Sequence, residues 1–217
     1  AAGAMPHLKA LFEPGEMRIP FDNGYLQLAR MDVEWTNAAG GAFATGGNWD
    51  KGMPPAGSDS ALWNQGSSEG YAVDFANSTA SDVAVIKNDT VTFDLAGHEY
   101  SFGGIESSYA IVVGQAATDR GSLTIENGTL QGRNLLIGGA GATGELIVAP
   151  AARLVLDEDI ILGQEDATLR VLAAAAKAGG DLYLGNGGTV VLEDATLTVG
   201  SGPAAASIDT VLVQENA

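Results

Sequence analysis

Leu123-Thr-Ile-Glu-Asn-Gly-Thr-Leu130 returns further along the chain as Val190-Val-Leu-Glu-Asp-Ala-Thr-Leu197. Between the two stand Leu146-Ile-Val148 and Leu169-Arg-Val171, so four such triplets begin at intervals of 23, 23 and 21 residues. Each triplet carries apolar residues two apart, which in a strand point to the same side. A second series ends in glycine: Ile111-Val-Val-Gly114, Leu135-Leu-Ile-Gly138, Ile160-Ile-Leu-Gly163 and Leu182-Tyr-Leu-Gly185, with the glycines 24, 25 and 22 apart. Two series locked in phase at 21 to 25 residues define a repeat.

A repeat of this length, made of three-to-five-residue strands joined by Gly and Asp/Asn corners, closes one turn of a solenoid. Successive turns lie about 4.8 Å apart, the ordinary spacing of hydrogen-bonded strands. Leu, Ile and Val then stack on their own kind, and stability accumulates by nearest-neighbour burial. A leucine-rich repeat needs a Leu-x-x-Leu-x-Leu frame with an Asn ladder, and a calcium-binding roll needs repeated Gly-Gly-x-Gly-x-Asp; neither occurs. Helical solenoids need apolar spacings of three and four. Only Leu169–Lys177, with its four alanines, invites a helix.

The sequence therefore predicts an all-β chain: a parallel β-helix (β-solenoid) over residues 35–217, regular from about 105 to 217, with a non-repetitive N-terminal arm or cap. That arm, residues 1–34, holds three of the four Met, together with Pro6, Pro14 and Pro20. Its net charge is −2, against −15 for the remainder. Asn23-Gly24 is a turn signal that joins Met17–Phe21 to Tyr25–Ala29 as a hairpin. In the earlier coils Ala72–Phe75, Val83–Ile86, Thr90–Leu95 and Tyr109–Val113 read as strands, and His98–Gly104 as a bulge from the stack. Thr210–Gln214 reads as a last strand, whose edge calls for a partner subunit or a further coil.

Composition narrows the function classes. Apolar residues make up 46% of the chain, enough for a core that disordered Gly-rich chains lack. The net charge of −17 repels phosphate backbones and anionic lipid, which argues against nucleic acid as a partner. No run approaches the roughly 18 apolar residues of a membrane span, so no membrane insertion is expected. With no cysteine there are no disulfides, thiolate metal sites or thiol nucleophiles.

Reactive constellations are sparse. His7 and His98 are the only histidines, and no Gly-x-Ser-x-Gly elbow or phosphate-binding loop occurs. A polysaccharide lyase needs a base beside groups that neutralise a substrate carboxylate. His98, Tyr100, Arg120, Arg133 and Arg153 are the nearest candidates, with Arg133 and Arg153 in adjacent coils. Their surroundings are acidic and would repel a polyuronate. A paired-carboxylate hydrolase criterion has little force among 27 acidic residues. No catalytic residue is assigned, and an enzyme is not the expected reading. Asp157, Glu158, Asp159, Glu165 and Asp166 could gather calcium, the one possible cofactor, although corner carboxylates in a solenoid are usually only solvated. Trp35, Trp49 and Trp63 are spaced by fourteen. They are candidates for stacking on carbohydrate, set against large rings closing the end of a core.

Trp35-Thr-Asn, Gly47-Asn-Trp49-Asp, Gly52-x-Pro54 and Gly57-x-Asp59-x-Ala61 are similar to the entry of many autotransporter-like bacterial surface proteins. The 123–130 and 195–200 phrases look like their passenger repeats. The resemblance covers roughly residues 35–200. It implies a right-handed parallel β-helix, export or surface display, and roles in adhesion, scaffolding or polysaccharide contact. No translocator barrel accompanies it in this sequence. Similar β-helices occur in phage fibres and tailspikes. The expectation is thus a non-catalytic structural or adhesive protein, extracellular or at the cell surface, whose partner is itself, a cell or particle surface, or a polysaccharide. The alternative is a virion component: fibre, tailspike or capsid decoration protein.

Overall fold

The computed structural model describes residues 21–22, 25–26, 31–103, 109–163, 166–185, 188–200 and 212–213. The chain forms two compact units, Ala1–Met31 and Asp32–Ala217. In the first, Phe21–Asp22 pairs antiparallel with Tyr25–Leu26, the hairpin that Asn23-Gly24 predicts. The rest of the expected arm as far as residue 30 lies outside the described residues.

The second unit is a β-solenoid of about six turns, built on three parallel sheets. Sheet A contains Asp32–Glu34, Ser60–Trp63, Val83–Ile86, Ile111–Val113, Leu135–Ile137, Ile160–Leu162 and Leu182–Leu184. Sheet B contains Gly41–Ala42, Tyr71–Asp74, Thr90–Asp94, Arg120–Glu126, Thr143–Val148, Ala167–Leu172, Thr189–Glu193 and Leu212–Val213. Sheet C contains Thr79–Ser81, Glu99–Phe102, Thr129–Gly132, Arg153–Leu156, Ala175–Ala178 and Thr196–Val199. The chain visits A, B and C in turn, and each strand pairs with its counterparts one coil away. The stack takes in Asp32–Glu34, so it starts at Asp32 rather than residue 35. Complete coils begin at Ser60, well before 105.

Registers match the periods read from sequence. On sheet B, Tyr71, Val91, Leu123, Leu146, Leu169 and Val190 form one ladder. On sheet A, Ala84, Ile111, Leu135, Ile160 and Leu182 form another. All eleven are buried, and each large aliphatic contributes about 1.5–3 kcal/mol over leaving it exposed. Sheet C supplies a third ladder that the sequence did not announce: Tyr100, Leu130, Leu154, Ala176 and Leu197. Its side chains shrink to alanine at Ala175–Ala178, which is a strand with Ala176 and Ala178 buried, and not helix. Glu99–Phe102 pairs on both sides within sheet C and buries Tyr100 and Phe102, so this segment does not bulge.

Corner length explains the variable period. Between Leu146 and Leu169 the B-to-C corner is four residues, Ala149–Ala152; between Leu169 and Val190 it is two, Ala173-Ala174. Between register partners the B-to-C corner shortens by one residue (Val148 to Arg153 against Val171 to Ala175) and the A-to-B link by another (Leu162 to Thr168 against Leu184 to Thr189), which together give the step from 23 to 21. Each short corner turns on a left-handed residue: Asn127, Ala173 and Asp194 have φ of 53, 44 and 50°. Asn and Asp tolerate this conformation, whereas alanine pays about 1 kcal/mol. Exposed Ala173 is therefore a strained site. Ala173→Gly, or Ala173→Asn copying Asn127, is expected to raise the urea midpoint by the equivalent of roughly 0.5–1 kcal/mol.

The corners also consume acidic side chains. Buried Asp89 accepts bonds from Gln65 N, Ser67 N and the Tyr71 hydroxyl at 3.0, 2.9 and 2.7 Å. Asp119 Oδ2 accepts from Gln115 N and Ala116 N, and Asp159 Oδ1 from Asp181 N. A carboxylate that receives backbone amides replaces the ladder partners missing at a bend.

Aromatic rings fill the N-terminal part of the core. The first coil has no sheet C strand; instead an antiparallel bridge pairs Trp35 with Trp49. Trp35 N donates to Leu62 O, which sets Trp35 one coil from Trp63, with Trp49 between them. Ring centroids of Trp35–Trp49 and Trp49–Trp63 are 5.0 and 5.7 Å apart, both edge-to-face.

Candidate functional site

The groups singled out for chemistry are distributed through the scaffold. Tyr100 is fully buried, its hydroxyl 2.9 Å from Ser81 Oγ and its ring 4.2 Å from Phe102. Burial pushes its phenol well above the ordinary tyrosine range, against a smaller lowering by the Ser81 bond, so it is no base at neutral pH. Arg133 and Arg153 do not align. Gly132 pairs with Leu156, which sets Arg133 beyond the strand, while Arg153 pairs with Thr129. Arg133 instead meets Glu158 at 2.7 Å. His98 uses its backbone in a corner, donating to Leu95 O and accepting from Thr129 N. Arg120 is exposed at the start of a sheet B strand. His7 lies outside the described residues.

The proposed cation ligands part company as well. Glu158 turns to Arg133, and Asp159 holds the Asp181 amide. Asp166 lies in a separate corner, where its carbonyl accepts from Gly144 N, and Asp157 donates its amide to Gly132 O. Glu165 lies outside the described residues. Among the described residues no three His, Asp or Glu gather as a metal site would require. Burial removes the carbohydrate platform: Trp35, Trp49 and Trp63 are 0, 3 and 0% exposed, and no ring offers a face to solvent. The indole N–H groups of Trp35 and Trp49 bond the carbonyls of Asn37 and Phe43 inside the molecule.

Two buried phenols give the scaffold an alkaline signature. Tyr71 is raised by burial first, then by its bond to Asp89 and that carboxylate's charge. In the unfolded chain both phenols ionise near pH 10. The folded state holds their protons more tightly, so stability is unaffected below pH 10 and falls as pH rises beyond it. Absorbance titration should show Tyr71 and Tyr100 ionising only with loss of β-sheet circular dichroism.

The outer faces are what remains for contact. On sheets B and C the outward positions are largely polar: Ser122, Glu145 and Thr168 fall in one row of B, and Ser101, Gln131, Val155 and Lys177 in one row of C. Sheet A differs. Its outward row runs Leu62, Val85, Val112, Leu136, Ile161 and Tyr183, in register from coil to coil. Val83, Val85 and Val112 form a buried cluster against which Leu62, Tyr109 and Leu136 pack. Further along, the row emerges: Ile161 is half-buried, and Tyr183 is 44% exposed with its hydroxyl 3.1 Å from Asp181 Oδ2. A signal for this row stands in the sequence. Ile111-Val-Val, Leu135-Leu-Ile and Ile160-Ile-Leu are apolar at all three positions, the mark of a strand covered on both faces.

No family model, curated protein or solved structure matches the chain. No helix among the described residues is long and apolar enough to cross a membrane.

Proposed function

We propose that the protein is a non-catalytic, surface-displayed β-helix with a structural or adhesive role. The observation that carries this reading is the in-register apolar row on the outside of sheet A, which emerges at Ile161 and Tyr183. Apolar side chains aligned along successive coils suit lateral contact with a macromolecular surface or with another copy. The carboxylates of Asp89, Asp119 and Asp159 are engaged in holding corners, which supports an architectural use of these acidic groups. Resemblance of the Trp35–Ala61 phrases to autotransporter-like entries agrees with export.

A virion component is the second reading. The separate Ala1–Met31 unit favours it, because a fibre or decoration protein needs a distinct piece for attachment. Immunogold labelling of the producing cells and of any particles they release tests both. Label on the cell exterior supports display, and label on particles selects the virion reading. Label confined to the cytoplasm overturns both. Release of unsaturated or reducing ends from acidic or neutral polysaccharides by the purified chain would overturn the non-catalytic reading.

A further inference from the structure

Three Asn-x-Thr triplets occur in the stack: Asn77-Ser-Thr79, Asn88-Asp-Thr90 and Asn127-Gly-Thr129. This pattern is the acceptor signature for N-linked glycosylation of exported chains. The fold treats the three asparagines differently. The Asn88 amide nitrogen donates to Asn64 Oδ1 at 2.9 Å, and its oxygen accepts from Arg120 N at 3.1 Å. The Asn127 amide nitrogen donates to Asp94 Oδ1 at 3.1 Å, and its backbone is left-handed. Asn77 is exposed in the corner between Tyr71–Asp74 and Thr79–Ser81, and among the described residues no such bond is made to its amide. Among the described residues Thr79–Ser81 is moreover the terminal strand of sheet C, paired with Glu99–Phe102 alone. Asn77 and Ser78 are exposed and Thr79 is half-buried, so the triplet stands at the surface, where a transferase can reach it.

We propose that Asn77 is an acceptor for an N-linked glycan, an inference that rests on the display reading for its setting. The Asn77 amide nitrogen attacks the anomeric carbon of a polyprenyl-pyrophosphate-linked oligosaccharide. The N–C bond forms as the C–O bond to pyrophosphate breaks; the lipid pyrophosphate leaves with the electron pair, and the transferase takes the amide proton. Glycan at this corner would coat the end of sheet C and leave the emerging Ile161 and Tyr183 of sheet A free of glycan.

The test incubates the folded full-length chain with a purified N-oligosaccharyltransferase and its lipid-linked donor, followed by intact mass measurement and glycopeptide mapping. One glycan is expected, on Asn77, absent from Asn77→Gln and retained in Asn127→Gln. An unmodified Asn77 in the folded chain, or equal occupancy of Asn88 or Asn127, overturns the proposal. Because transfer is read in vitro, its failure is distinct from failure of the display reading, which the immunogold experiment decides.

Discussion

Leu146→Asp abolishes the cooperative thermal melt of the stack. Leu146 is fully buried on sheet B, in register with Leu123 on one side and Leu169 on the other. Truncating such a side chain alone costs about 2–5 kcal/mol. The aspartate adds a carboxylate without a cation in an aliphatic ladder, a further penalty of several kcal/mol even when it is protonated. Domains of this kind have only about 5–15 kcal/mol in total. Adjacent coils stabilise one another, so a failed rung also deprives Leu123 and Leu169 of their contacts. Circular dichroism should show a broad, low-amplitude transition, or none. A wild-type midpoint would show that the ladder does not hold the fold. Leu169→Asp should behave alike, whereas a charge at outward Ile147, half-buried on the same strand, should cost far less.

The second large effect is steric. Gly144 is buried between Gly121 and Ala167 in the register of sheet B. A Cβ there would land on the Val113 carbonyl oxygen of the preceding coil and press on Gly138 N at the preceding corner, both backbone atoms. Val113 O already accepts a bond from Gly138 N at 2.8 Å, so it cannot retreat without breaking a rung. Gly144→Val should therefore lower the urea midpoint by the equivalent of roughly 3 kcal/mol or more, beyond the usual range for a single substitution. Gly47 has open space around its position. Gly47→Ala should stay within about 0.5 kcal/mol of the parent. Equal effects at the two glycines would overturn the packing argument.

Sheets A and B were legible in the sequence because their inward residues are Leu, Ile and Val at a constant phase. Sheet C was not, because its ladder passes from Tyr100 through Leu130 to Ala176, and no single residue type marks it. Four alanines near residue 175 carry no period of two, and propensity alone points to helix; the neighbouring coils impose a strand. The Trp interval of fourteen also had to be folded before it could be read. Half a coil separates each ring from the next, so the regularity reflects filling of the interior rather than a row on the surface. The row on sheet A was visible only as the absence of alternation at Val112, Leu136 and Ile161. Reactive groups were hardest to judge, since a carboxylate that holds a corner and one that awaits a ligand are the same letter. Only the bonds to Gln65, Ser67 and Tyr71 reveal what Asp89 does.

Parallel pairing from coil to coil has a mechanical consequence. Backbone bonds between coils lie along the stack, across the strands they join. Tension applied along the stack loads successive rungs in series, so coils would peel away one at a time from an end, each at modest force. Tension along the strands instead shears a whole coil's bonds together and meets far greater resistance. As a tether, such a chain would yield in steps of one coil, lengthening by some twenty residues each time, and dissipate a pull rather than snap under it.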